Sequence, residues 1–393
     1  MDGLSTNVLV IGRSGVGKSS LLNYLFEREI QKTGSGGAVT RKGIFPFKYK
    51  YDENFSICIY DTWGLEPDKT DEWKNLIVEE VKEHDKSKVS EWFNTIIYCL
   101  SANSERVEDF EIAIIKSLVD LKNQMIIAIT HCDNREDSRA EVMKNRIVRC
   151  TGVNEKQVVF VSNVEKKLIG KRVQKFGRED VFSVIIRNLW NSLKVKVPFN
   201  VKTRLRKSFF EEREFLNSTI SNKWLLFRRD KTLKEFENDV NSEFQKFLKD
   251  EMDAINKQFI DALYYYNSLS MKYAEISLLD KDSIINMPEM HFEALGGFKK
   301  EVNSQVEIIR KNYREVYEWL DKEFSRETIQ EFWVTVKKYF SSSRTVKDSL
   351  RETIEAYMIK AENIMNEQII KIEEQLQRID IERVQLLMLD RRE

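Results

Sequence analysis

The sequence predicts an α/β domain with a mostly parallel six-stranded sheet covered by helices on both faces, followed by an all-α helical bundle. Short apolar runs alternate with amphipathic stretches in the first half, and 12 of the 14 glycines lie at or before Gly177. The second half has few glycines or prolines, the residues that most often interrupt helices. We therefore expect an α/β domain over residues 1–197 and a helical, stalk-like domain over residues 198–393.

Six apolar runs of strand length predict the sheet: residues 7–12, 44–50, 55–61, 94–101, 125–130 and 158–162. Amphipathic stretches predict the surrounding helices: residues 17–28, 72–86, 107–121, 136–149 and 179–195. Strands that alternate with helices are joined by right-handed crossovers, which make neighbouring strands parallel. The order of elements therefore predicts a layered α/β fold.

Four long helices are predicted after the sheet, over residues 203–221, 230–280, 292–326 and 345–389. Apolar residues recur every seven positions in the last one: Met358, Met365, Ile372, Ile379 and Leu386, with Ile369 and Leu376 between them. A seven-residue repeat is typical of a coiled-coil seam. Because the repeat is short, we favour its other interpretation, a core stripe inside a bundle.

Composition limits the function classes. Lys+Arg and Asp+Glu are 64 each, which argues against a globally basic nucleic-acid binder, and 41% hydrophobic residues suffice for packed cores. No apolar run is long enough for a membrane-spanning helix, and the N-terminus lacks signal-peptide features. The four cysteines show no metal-ligand spacing. We expect a cytoplasmic protein with reduced thiols.

The most informative motif is the segment Gly12–Ser19, GRSGVGKS, which fits G-x-x-x-x-G-K-S and lies between an apolar strand and an amphipathic helix. Such a loop turns successive N–H groups toward phosphate oxygens, with the positive end of the helix dipole behind them. Lys18 would reach the β- and γ-phosphates, and the Ser19 hydroxyl would ligate Mg²⁺. The predicted phosphate-binding set is Arg13, Ser14, Gly15, Val16, Gly17, Lys18, Ser19 and Ser20.

Three later strand ends carry further polar residues. Asp61 and Gly64, in DTWG, are predicted to hold Mg²⁺ through water and to meet the γ-phosphate with a backbone N–H. In the second group, Thr130-His131-Cys132-Asp133, the Asp133 carboxylate can accept both N–H donors of guanine, a pair that adenine lacks. The third group, Ser162-Asn163, is predicted to close over the base.

In this order the motifs resemble those of the translation-factor-related class of P-loop GTPases. The segments Gly12–Asn23, Ala38–Arg41 and Asp61–Leu65 resemble the Era/TrmE branch most, and interferon-inducible GTPases, septins, GIMAP proteins and dynamin-like proteins are similar in outline. The resemblance covers residues 7–195. It implies a G domain that binds GTP or GDP with Mg²⁺.

By matching position, the resemblance implies that Thr40 is the switch I threonine, with Thr33 as the alternative. The implied metal ligands are Ser19, Thr40 and Asp61, and the implied catalytic groups are Lys18, Thr40 and Gly64. The glycine-rich run 34–37 would let this switch order and disorder with the nucleotide.

The sequence departs from the family pattern at three positions. His131 stands where the base-recognition motif usually has lysine, and Asn163 replaces an alanine. Leu65 stands where Ras-type enzymes carry the glutamine that orients the attacking water. We therefore expect slow intrinsic turnover. Candidates for help are Ser14, Glu66, Asp68 and the switch I residues in cis, and Arg13 or Arg41 in trans, although a solvated charge is the simpler interpretation of each. Gly15 replaces the asparagine needed for the potassium-assisted route.

The first functional hypothesis is a Mg²⁺-dependent GTPase that passes its nucleotide state to the helical domain, with nucleotide-dependent dimerisation. The alternatives are a non-hydrolysing nucleotide-binding scaffold and a protein that uses ATP. The helical domain would bind an unidentified protein partner. Residues 284–298 or 224–229 could contact a membrane, and the basic loop 166–178 could meet RNA or lipid headgroups, but helix connections and a solvated loop explain these segments more simply.

Overall fold

In the computed structural model, the described residues are 4–27, 44–62, 64, 70–104, 106–133, 138–163, 165–168, 171–223, 230–274 and part of 355–389. Six strands form the main sheet: β1 (Leu4–Gly12), β2 (Ile44–Lys50), β3 (Phe55–Thr62), β4 (Phe93–Ser101), β5 (Met125–Thr130) and β6 (Val158–Phe160). Their order is β2-β3-β1-β4-β5-β6. Only β2 runs antiparallel to its neighbour. The predicted fold class is confirmed.

Five helices follow the strands of this domain: α1 (Lys18–Phe26), α2 (Thr70–Asp85), α3 (Asp109–Asp120), α4 (Arg139–Thr151) and α5 (Arg178–Asn191). Strands β4 and β5 are buried along their whole length. Burial on both faces explains why these strands are continuous apolar runs rather than alternating ones. The carboxyl ends of the parallel strands consequently meet at one edge, where the polar residues predicted to form the site follow them.

The basic segment after β6 differs from the prediction of a loop. It forms a two-stranded antiparallel hairpin, β7 (Lys166–Leu168) and β8 (Lys171–Val173). Backbone pairing between two three-residue strands does not need the apolar pattern by which longer strands are recognised, so the lysine-rich sequence gave no strand signal.

The helical half begins with α6 (Val197–Lys223) and α7 (Asp230–Ala274). Phe209 of α6 and Phe247 of α7 pack edge to face, with ring centroids 5.0 Å apart. The seven-residue stripe is buried at Met358, Met365 and Ile372. Residues 292–326 lie outside the described residues, as does Ile379.

The stripe does not continue to Leu386, which the repeat predicted as an apolar seam residue. Leu386 is 59% exposed, whereas Met388 is fully buried. Two residues correspond to about 200° of helix rotation, so a different face is buried in this turn. The physical reason is local packing, because the Trp190 indole N–H lies 3.4 Å from the Met388 sulfur.

Two compact units divide the chain. The first comprises Met1–Phe199, Ile260–Ile284 and Leu376–Glu393, and the second comprises Asn200–Phe259 and Ile285–Gln375. Two stretches of the helical half therefore belong to the same unit as the sheet. The domain boundary between residues 197 and 198 stays a prediction.

A buried ion pair lies where α5 passes into α6. The π-helical turn Ser192–Lys196 separates the two helices, and Lys196 is fully buried. Its ammonium lies 2.6 Å from Asp85 at the end of α2 and donates to Asn123 at 2.8 Å. Burial lowers the Lys196 pKa, and the Asp85 carboxylate opposes this effect. The lysine is thus compensated by partners that tie α2 to the start of α6.

Among the described residues, no helix combines the length and apolar character that crossing a bilayer requires. The segments 224–229 and 284–298, which were considered for membrane contact, lie outside the described residues.

Candidate functional site

The loop between β1 and α1 adopts a conformation that its glycines make possible. Gly12 has a φ of 147°, and a Cβ there would stand 2.6 Å from the Cys99 carbonyl oxygen of β4. Gly17, which precedes α1, has a φ of 89° in the left-handed region. Both positions disfavour side chains, so the motif glycines let the loop wrap tightly over the end of the sheet.

Lys18 lies inside this loop. Its ammonium donates to the Gly12 and Arg13 carbonyl oxygens, at 2.9 Å each, and the residue is 8% exposed. Burial lowers the Lys18 pKa, while the negative charge of Asp61 raises it. The loop therefore holds a desolvated cation beside a carboxylate at a helix N-terminus, an arrangement suited to phosphate oxygens and a metal ion.

The other loop residues separate into buried and accessible ones. Val16 is buried, whereas Ser14, Gly15, Ser19 and Ser20 are exposed. An accessible hydroxyl at the first turn of α1 fits the metal-ligand role predicted for Ser19.

The Arg13 side chain packs over α3 of the same molecule, with its guanidinium 5.8 Å from the centroid of the Phe110 ring. In this position its charge is engaged at α3, so acting on a second copy would require the side chain to leave this contact. The arginine-finger role of Arg13 stays a prediction.

The segment after β3 packs directly on the loop. The Thr62 hydroxyl donates to the Val10 carbonyl at 2.9 Å, which ties the ends of β3 and β1 together. A Cβ on Gly64 would stand only 2.4 Å from the Ser14 Cα. Only a glycine permits this approach, so Gly64 presents its backbone to the site. Thr33, Thr40, Arg41, Trp63, Leu65, Glu66 and Asp68 lie outside the described residues.

The end of β5 connects to the loop from the other side. The Thr130 hydroxyl donates to the Val16 carbonyl at 2.6 Å. His131 has a left-handed backbone, with φ of 57°, and its Nδ1 lies 3.0 Å from the Thr130 hydroxyl and 3.1 Å from that of Ser101. Asp133 accepts a hydrogen bond from the buried Ser162 hydroxyl at 3.0 Å.

Ser162 is held by a second element. Its backbone exchanges two hydrogen bonds with Phe176, and its side chain is fully buried. Asn163 follows it and is half-buried. The structure places Gly64, Thr130 and His131 in contact with the phosphate loop, and it pairs Asp133 with Ser162. Thr40 lies outside the described residues. The sequence reasoning missed Ser101, although the signal that marked the other strand ends, a polar residue after an apolar run, applies to it as well.

In the part of the chain that the structure describes, no three His, Cys, Asp or Glu side chains converge as a metal site would require. The predicted Mg²⁺ site does not depend on such a cluster, because Mg²⁺ commonly takes one or two protein oxygens together with phosphates and waters. Ser19 and Asp61 supply that oxygen chemistry.

Parts of the chain are similar to known proteins. Residues 7–131 match the family described as 50S ribosome-binding GTPase. Toc33 from Arabidopsis thaliana, solved with Mg²⁺ and GMPPNP, is similar at 17% identity over 48% of this chain and 85% of its own, with a TM-score of 0.35. The G domain of the T. maritima FeoB iron transporter is similar at 17% identity over 47% of this chain and 98% of its own, with a TM-score of 0.31. The search of curated proteins found no match.

The N-terminal part of the chain has the strand order and the phosphate loop of a G-domain fold, and residues 7–131 of it match the GTPase family.

Proposed function

We propose that the protein is a Mg²⁺-dependent GTPase that hydrolyses GTP to GDP and phosphate and couples its nucleotide state to helical segments. The observation that carries the proposal is the buried Lys18 ammonium, held at a helix N-terminus by two loop carbonyls and beside Asp61. The oxygens of a bound triphosphate would accept the hydrogen bonds that Lys18 now donates to these carbonyls, because the P-loop lysine pairs with phosphate oxygens.

In this proposal water attacks the γ-phosphorus in line with the leaving oxygen. Lys18 and the loop amides stabilise the charge on the phosphoryl oxygens, and the Gly64 N–H contacts the γ-phosphate. Bound Mg²⁺ would neutralise further charge between the β- and γ-phosphates, with Ser19, Asp61 and Thr40 as the proposed ligands. Leu65 cannot hydrogen-bond to the water, so we expect slow turnover by an isolated molecule.

Guanine selection is assigned to Asp133. Its carboxylate is positioned by Ser162, and it follows the strand that Thr130 ties to the phosphate loop. These two hydrogen bonds support the assignment, because base selection requires an acceptor that is held in place.

The proposal is tested by competition of GTP and ATP for a fluorescent GDP analogue, with Mg²⁺ present. We expect GTP to compete at least 100-fold better than ATP, because adenine would leave Asp133 unpaired. Lys18→Ala should lose nucleotide binding, whereas Lys116→Ala, which removes an exposed lysine paired with Asp120, should not. Equal competition by ATP would refute the role of Asp133.

The coupling route that we propose is the β2–β3 hairpin. It begins directly after the segment that contains Thr40, and β3 ends at Asp61 and Thr62 beside the phosphate loop. At its opposite end, Asp52 accepts a hydrogen bond from the Tyr273 hydroxyl of α7 at 2.6 Å. The Tyr51 hydroxyl donates to the Met388 carbonyl at 3.2 Å.

The helical contacts at this end are buried, which supports a mechanical role for them. Tyr266 donates to the Leu189 carbonyl of α5 at 2.7 Å, and Tyr265 donates to the Ser5 carbonyl of β1. Burial raises the pKa of Tyr265 and Tyr266, so both stay protonated donors at neutral pH. A shift of the hairpin would therefore move residues 260–274 of α7, which belong to the same compact unit as the sheet.

The second candidate function is a non-hydrolysing scaffold that holds its nucleotide as a structural ligand. Leu65 favours it, because a leucine side chain cannot orient the attacking water. Intact GTP in the purified protein would support this candidate, whereas GDP would support the GTPase. A cytoplasmic location, a homodimer and a protein partner for the helical half are also proposals, to be checked by fractionation and affinity capture.

A further inference from the structure

His131 occupies an unusual place in the site. Its backbone is left-handed, a conformation that non-glycine residues adopt at a cost, which is smaller for His than for most others. Its ring lies against the start of α1, because a Cβ on Gly17 would stand 3.0 Å from the His131 Cε1 atom. Asp133, the base-selecting carboxylate, follows two residues later. The imidazole therefore lies close to the phosphate loop and two residues before the proposed base-selecting carboxylate.

The orientation of the ring depends on two hydroxyl groups. The Thr130 hydroxyl is committed to the Val16 carbonyl, 2.6 Å away. The Ser101 oxygen accepts from the Asn103 amide at 3.2 Å and lies 3.1 Å from the His131 Nδ1. The Ser101 hydroxyl can donate to Nδ1, which places the proton of a neutral ring on Nε2, whereas a ring with its proton on Nδ1 would donate to the Thr130 oxygen 3.0 Å away.

We propose that Ser101 is a positioning residue for guanine-nucleotide recognition, an inference that rests on the proposed function. Ser101 lies at the end of β4 and is only 7% exposed, so its side chain has little surface with which to contact a ligand directly. It acts through His131, by fixing one ring orientation and the Nε2–H tautomer. The ring then offers an N–H donor and a flat face to the nucleoside, in place of the lysine stem found in related motifs.

The test compares Ser101→Ala, Ser101→Thr and the control Ser104→Ala, which alters the same turn and keeps the Ser104 amide bond to the Ser101 carbonyl. We expect Ser101→Ala to bind GDP about fivefold more weakly, the effect of one net hydrogen bond, with ADP binding unchanged. Ser101→Thr, which retains the hydroxyl, should restore the affinity. Ser104→Ala should bind like the wild type.

Two further measurements distinguish the loss of His131 positioning from a general disturbance of the fold. The chain has three histidines, so ring ¹⁵N shifts assigned with a His131→Gln variant can report the His131 tautomer. We expect Nε2–H in the wild type and a mixture in Ser101→Ala. In a double-mutant cycle, His131→Ala should abolish the further effect of Ser101→Ala.

Fully additive losses, an unchanged tautomer or wild-type GDP affinity in Ser101→Ala would each overturn the inference. Failure of the proposed function looks different, because the wild-type protein would then show no preference for GDP over ADP.

Discussion

At the residue scale, the buried thiol of Cys99 gives the phosphate site a pH-dependent stability. Cys99 is fully buried beneath Gly12, and burial raises its pKa from 9.0 to about 12, although Lys18 opposes the shift. Between these values the unfolded chain loses the thiol proton while the folded protein keeps it. The stability that Cys99 contributes is therefore fully present below about pH 9 and is lost as the pH rises toward 12.

The corresponding prediction concerns Cys99→Ala. Denaturant unfolding between pH 8 and 11 should show a shallower fall in unfolding free energy for this variant than for the wild type. The difference should approach roughly 1 kcal/mol per pH unit above pH 9. Cys150→Ala, at an exposed position, should follow the wild-type profile. Parallel profiles for all three proteins would show that Cys99 titrates normally.

Individual site residues could be predicted from the sequence where chemistry and chain position coincide. Asp61 lies at the end of an apolar strand, Lys18 and Asp133 follow one, and parallel strands bring their carboxyl ends together. The support of His131 by Ser101 could not be predicted in this way, because the two residues are 30 positions apart. Their contact depends on β4 lying beside β5, which the sequence does not state.

At the element scale, the sheet was predictable because its strands are buried on both faces and read as apolar runs. Elements held by packing were less predictable. Met388 replaces Leu386 in the buried face because Trp190 and Tyr51 contact it, and neither partner is visible in a seven-residue repeat. The assignment of Ile260–Ile284 to the same unit as the sheet likewise depends on tertiary contacts.

The hairpin route gives a prediction for α7. Tyr273→Phe removes the hydroxyl that donates to Asp52 but retains the buried ring. Hydrogen exchange in residues 260–274 of α7, the stretch that carries Tyr273, should differ between the GDP and GTP-analogue states of the wild type. We expect Tyr273→Phe to lose most of this difference and to bind GDP with unchanged affinity, because Asp52 is far along the strand from the phosphate loop.

Tyr264→Phe is the matched control, since the same hydroxyl is removed from the same helix at a residue that is 77% exposed. This variant should retain the wild-type exchange difference. If Tyr273→Phe also retained it, the hairpin tip would be a structural contact and the nucleotide state would reach the helices by another route, such as the Asp85–Lys196 ion pair at the end of α2.

At the scale of the whole molecule, Leu65 predicts that GTP turnover depends on self-association, because it stands where Ras-type enzymes carry the water-orienting glutamine. GTP hydrolysis per molecule should rise about tenfold or more as the protein concentration is raised through the dimerisation range, because a second copy can supply groups that orient water or stabilise charge. Light scattering in the apo, GDP and GTP-analogue states should show association in the GTP-analogue state alone. Lys18→Ala should neither associate nor hydrolyse GTP, whereas a fast rate independent of concentration would mean that one chain holds the complete catalytic machinery.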